Sequence, residues 1–213
     1  MSGLLPDDQV FLAYQETRQN IIDLLRDAPE SAASTIVPTC PSWTVADLAA
    51  HIFGVPDDIM SGRMQGVGSD EWTQEQVERM RGTSLADLAT AIEQSALSFD
   101  TVMPMIPAPA NSQIVMDTVT HEHDLRNALG RPGAHDSLGV TVALSFLLGG
   151  LAKINADYAA ALSTCGASEF ELMRTLSGRR TADQARAAGI DWSLVSGFLD
   201  VSPMSAPTTV VEK

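Results

Sequence analysis

Residues 117–133, DTVTHEHDLRNALGRPG, bring Asp117, His121, Glu122, His123, Asp124 and Arg126 close together and hold two of the four histidines of the chain. Carboxylates and imidazoles are acid–base groups, and they are also ligands for divalent cations. On a helix turning about 100° per residue, His121 lies about 40° from Asp117, and Asp124 about 20° away on the other side. Ile114, Leu125, Ala128 and Leu129 fall within or beside the same arc. This arc is the apolar one, so Asp117 and His121 are expected to point inward. Glu122, His123 and Arg126 fall on the far side and are expected in solvent, with Glu122 and Arg126 forming an i,i+4 pair worth only tenths of a kcal/mol. His51 follows Leu48 by three residues and sits beside Ile52, again on an apolar stripe. A buried carboxylate and imidazole must be paired. They can pair with each other, or share a cation with His51 in the manner of bundle-core metal sites. Spacing alone leaves both readings open.

These side chains need helices to position them, and the chain supplies them almost throughout. Apolar periodicity predicts a helix over about 6–27 and another from Val45, preceded by Thr44 with Asp47 three residues later, close to a capping box. The second helix carries His51 and is expected to end or kink at Gly54 and Pro56. Thr73–Gln76, Ser84–Asp87, Ser168–Glu171 and Thr181–Gln184 propose further helix starts. Helices are expected over 85–102, about 113–129 and 138–163. Gly130 and Pro132 punctuate the end of the 113–129 helix. The segment holding Pro38 and Pro41 reads as a loop, and no run alternates well enough to predict a sheet. The expected architecture is all-α: one helical bundle domain over 1–200, short helices at about 168–198 packed on it, and a flexible tail over 201–213.

With 213 residues, 45% hydrophobic and 19% charged, the chain can bury a sizeable core. A formal charge of −14 with no basic stripe argues against nucleic acid and anionic membranes as partners. The apolar stretch 140–152 is too short and interrupted to span a bilayer. The N-terminus has neither the basic nor the apolar region of a signal peptide, so a cytoplasmic location is expected. The two cysteines, Cys40 and Cys165, form no CxxC motif, and Cys40 reads as a small buried or loop residue. A homodimer is possible, although the apolar helix at 138–152 suits a core better.

CPSWTVADLAAHI (40–52) resembles the "cP-x-W-T-v-x-d-l-x-x-H" segment of mycothiol-dependent maleylpyruvate isomerase-like proteins, a branch of the DinB-like superfamily. Residues 117–133 resemble the second segment of that family, an acid or His four residues before a His, then D-[IL]-R-x-A-x-G. SEFELMRTLSGRRTADQARA (168–187) is similar to a third segment, ELxRxxxGRRS. The resemblance implies a DinB-like four-helix bundle with a divalent metal, commonly zinc or nickel, held by His51, Asp117 and His121. It departs from the family at Asp117, where the isomerases carry a Glu. By its length and helical end the chain is expected not to carry their separate C-terminal α/β domain, and Pro56 stands close after His51.

The implied function is a metal-dependent, mycothiol-dependent thiol transferase or isomerase acting on a small electrophile, with mycothiol as co-substrate and the metal activating the thiol. The alternatives are a non-catalytic metal-containing module for small-molecule binding or thiol stress, a metal-dependent hydrolase, and a metal-free helical interaction protein. No residue is assigned as catalytic. Trp43 reads as a packing anchor before it reads as a substrate platform. Asp124 and Arg126 are candidates for a role beside the ligands or the substrate. Arg179 and Arg180 are expected in a surface loop, and His123 and His135 at the surface.

Overall fold

The computed structural model describes residues 3–212. It is an all-α helical bundle: α1 (Asp7–Asp27), α2 (Val45–Ser61), α3 (Asp70–Arg79), α4 (Leu85–Val102), α5 (Ala110–Leu129), α6 (Leu138–Ile154), α7 (Ala156–Ser163), α8 (Glu169–Leu176), α9 (Ala182–Ala187) and α10 (Ser196–Leu199). The expectation of no sheet needs correction. Ile36–Val37 (β1) and Cys40–Thr44 (β2) pair antiparallel in front of α2. Strands of two and five residues are too short to carry a legible alternation.

The chain forms two compact units, and α1 and α5 contribute to both. One unit comprises Gln15–Pro107 and His121–Pro132; the other comprises the described residues up to Tyr14, Ala108–Thr120, and those from Gly133 onward. The first unit is built on four helices. Ile21, Ile22 and Leu25 of α1, Leu48, Ala49 and Ile52 of α2, Leu85, Leu88 and Ile92 of α4, and Leu125 of α5 share one core, closed by Val37 of β1. Removing each such Leu, Ile or Val side chain from water contributes about 1.5–3 kcal/mol. In the second unit α6 packs on α7 and α8, and the Phe198 ring lies against Gly150.

Helix starts follow local chemistry. Thr44 accepts from the Asp47 backbone N–H and Asp47 reciprocates, forming the expected capping box. Ser84, Ser168 and Thr181 cap α4, α8 and α9 as predicted. Thr73 does not start a helix: Ser69 caps α3, and Thr73 lies inside it. Helix α2 does not end at Gly54 or Pro56 but continues to Ser61. The helix expected over 138–163 is two, because Asn155 leaves helical geometry and caps α7 with its own side chain. Helix α5 ends in a Schellman motif: Gly130 adopts φ 64°, Arg131 N–H bonds the Arg126 carbonyl at 2.8 Å and Gly130 N–H bonds that of Asn127 at 3.2 Å.

Candidate metal centre

Helix α2 presents His51 and helix α5 presents His121, both buried, with ring centroids 5.1 Å apart and the rings edge to face. Asp117 stands one turn before His121 on the same continuous helix. A potential ligand atom of each of the three residues lies within 4.8 Å of the others. Trp43, at the end of β2, sets its half-buried ring 5.0 Å from that of His51 and 6.3 Å from that of His121. The hairpin missed in the sequence is therefore what brings Trp43 to the histidines, and its packing against the core does not separate it from them.

Each histidine is gripped at Nδ1. His121 Nδ1 lies 3.0 Å from Asp124 Oδ2, and Asp124 is wholly buried. His51 Nδ1 lies 2.7 Å from Gln76 Oε1 on α3, and Gln76 Nε2 donates to Asp58 Oδ2 at 2.8 Å. Asp58 is buried and paired with Arg63 and Arg79. Burial pushes the Asp58 carboxyl up, but hydrogen bonds from Gln76, Arg79 and Arg63 outweigh it and hold it below its ordinary value.

Gln76 and Asp58 escaped the sequence reading. Gln76 looked like half of a helix-start signature at Thr73. Asp58 follows His51 by seven residues, so it falls on the same apolar face, and that was the available signal. Cys40 is half-buried and lies in β2 rather than in a loop; its Sγ is 3.9 Å from Asp124 Oδ2, and Cys40, His121 and Asp124 form a second group of close potential ligand atoms.

The expected solvent face of α5 does not exist. Every residue from Thr118 to Leu125 is buried. Glu122 accepts from Asn20 of α1 at 3.1 Å and from Arg126 at 2.8 Å, and burial pushes its carboxyl above its ordinary value despite both. His123 is 2% exposed. A helix enclosed on all sides cannot be sorted into faces by polarity, because buried polar residues are tolerated where they find partners. Arg126 turns to Glu122 and the Arg131 carbonyl. His135 is exposed as expected, stacked on Phe170 at 4.0 Å. Arg180 is not in an open loop: it is buried and bonds Glu171 and Glu212. Arg179 is half-buried and donates to the Ser177 carbonyl.

One inward histidine thus stands on α2, and a second stands on α5 one turn after an acid. The description mycothiol maleylpyruvate isomerase N-terminal domain matches residues 14–129, more than half of the chain. The chain belongs to this family. His51, Asp117, His121, Trp43 and Cys40 all lie inside the matched region, whereas the segment 168–187 lies beyond it. No curated protein and no solved structure gives a significant match. Among the described residues, no helix is long and apolar enough to cross a membrane.

The residues fit a divalent cation on their own chemistry. Two neutral imidazoles and a carboxylate are a usual catalytic donor set, and a carboxylate on the far nitrogen of a histidine is the usual support for a ligand ring.

Proposed function

We propose that this chain is a mycothiol-dependent S-transferase or isomerase acting on a small electrophile, and that it depends on a divalent cation, zinc or nickel, held by His51, Asp117 and His121. The observation that carries the reading is the convergence of these three ligand groups beside an apolar ring. The family name supports the choice of thiol and of isomerase chemistry.

A cation bound there supplies positive charge that favours the thiolate form of an entering thiol. His51 and His121 would hold it through ring nitrogens and Asp117 through its carboxylate. Asp124 fixes the His121 ring. Trp43 supplies an apolar wall that limits water around the reacting sulfur. Neither Cys40 nor Cys165 is required as nucleophile, because the co-substrate brings the thiol. A soluble cytoplasmic protein without nucleic-acid partners fits the acidic charge of −14.

The Cys40, His121 and Asp124 group is the second reading for the cation. It is disfavoured because it would use the His121–Asp124 contact that otherwise orients the ring. The test is conjugation or isomerisation of small electrophiles with mycothiol, by the wild-type protein and His51→Ala. Turnover that needs the thiol and is lost in the variant supports the proposal. Turnover without thiol favours a hydrolase. Bound metal with no turnover favours a binding module.

A further inference from the structure

The buried amide of Gln76 takes no part in the ligand set, yet it has the best-defined surroundings near it. Its Nε2 faces Asp58 Oδ2 at 2.8 Å and its Oε1 faces His51 Nδ1 at 2.7 Å. An ionised carboxylate only accepts hydrogen bonds. Asp58 is ionised at neutral pH, since Arg63 and Arg79 both pair with its Oδ1 and its carboxyl is held low. The amide nitrogen of Gln76 must therefore face Asp58, and its oxygen must face His51. An amide oxygen also only accepts, so His51 Nδ1 must carry a proton. The neutral ring then keeps its lone pair at Nε2.

We propose that Gln76 is a positioning residue that sets the tautomer and orientation of His51, with Asp58 and its two arginines dictating which way the amide points. This inference rests on the reading of His51 as a ligand only for its consequence; the tautomer itself is a property of the metal-free chain. The relay runs from partly exposed Arg63 and Arg79 inward to His51 without using any residue of α5.

Glycine at position 54 belongs to the device. A Cβ there would stand 2.5 Å from Gln76 Cβ, 2.6 Å from Cγ and 2.9 Å from Cδ. Gly54 is the slot on α2 that lets the Gln76 side chain reach His51. The α2–α3 connection is held by the Trp72 indole N–H, which donates to the Arg63 carbonyl at 2.9 Å, and by Ser69 capping α3. The two helices are thus fixed at the end where the relay crosses between them.

The first test is 15N NMR of the His51 ring in metal-free wild-type protein, at a pH where the ring is neutral. A protonated Nδ1 and a pyridine-type Nε2 are expected. A protonated Nε2 with a bare Nδ1 would overturn the proposal, whether or not the protein binds metal. The second test is zinc titration of apo protein for wild type, Gln76→Leu, Gly54→Ala and, as control, Gln74→Leu on the exposed side of α3. Loss of a hydrogen-bonded support typically weakens metal binding about 10–100-fold. That loss is expected for Gln76→Leu and Gly54→Ala, together with a mixed His51 tautomer, and not for the control. Wild-type affinity and tautomer in both variants would overturn the proposal. If Gln76→Leu does not fold, Gly54→Ala and the wild-type tautomer still decide. A wild-type protein with the expected tautomer and no zinc binding would sink the proposed function alone.

Discussion

The proposed ligand role of His121 depends on its ring being held, and Asp124 is the buried group at its Nδ1. Replacing Asp124 by Ala is expected to weaken zinc binding about 10–100-fold with the ligands themselves intact. Titration of apo protein measures this, and an unchanged affinity would contradict the assigned role. At this scale much was legible. His51 and His121 could be placed inward because each lies on an apolar stripe; Asp117, expected inward on the same arc as His121, is half-buried. Glu122 and His123 were misplaced, because α5 has no solvent face to complete the pattern. Gln76 was invisible because an amide on a short, mostly polar helix says nothing about where it crosses to a neighbour.

Helices α2, α3 and α5 and the hairpin before α2 are the elements that carry the residues of the proposed site. The Thr44–Asp47 capping box sets where α2 begins and so where His51 points. Thr44→Ala is expected to cost about 1 kcal/mol, read as a lowered midpoint in thermal or denaturant unfolding; an unchanged midpoint would contradict it. Leu88 of α4 is fully buried in the same core, and Leu88→Ala is expected to cost about 2–5 kcal/mol by the same measurement. Caps were readable because they depend on residues three apart in the chain. The β1–β2 pairing was not, because it depends on partners across a tight turn. The continuation of α2 through Pro56 was not readable either, since tertiary packing overrides the local cost of a proline.

At the scale of the molecule, buried charge ties the end of the chain to α8 and the segment after it. Glu212 is buried and accepts hydrogen bonds from Arg174 at 2.8 Å and Arg180 at 2.6 Å, while Gln184 donates to its carbonyl at 2.7 Å. The stretch read as a tail thus bears an anchored residue, which its Ser, Pro and Thr composition concealed. Arg174 also donates to the carbonyl of Thr120, next to His121 on α5. Glu212→Ala leaves two buried guanidinium groups short of a carboxylate. Breaking one side of a buried pair costs about 3–5 kcal/mol, so a clear fall in the unfolding midpoint is expected; a midpoint within error of wild type would contradict it.

Acid is expected to act in a related way. Burial pushes Asp58 and Asp100 up, but hydrogen bonds outweigh it, from Gln76, Arg79 and Arg63 on Asp58 and from Arg18 and Gln15 on Asp100. Both are therefore held below the ordinary carboxylate value. The unfolded chain then binds more protons than the folded one, so their stabilisation is present at neutral pH and is lost as pH falls through about 4 and below. Melting temperatures between pH 7 and pH 3 measure this, and a flat profile would contradict it.

His51, Asp117 and His121 are proposed to hold a divalent cation. Elemental analysis of protein purified without chelator or affinity-tag metal tests it, with His51→Ala alongside. About one zinc or nickel per wild-type chain, with loss of that metal in the variant, is expected. No metal in either protein, or equal metal in both, would contradict it.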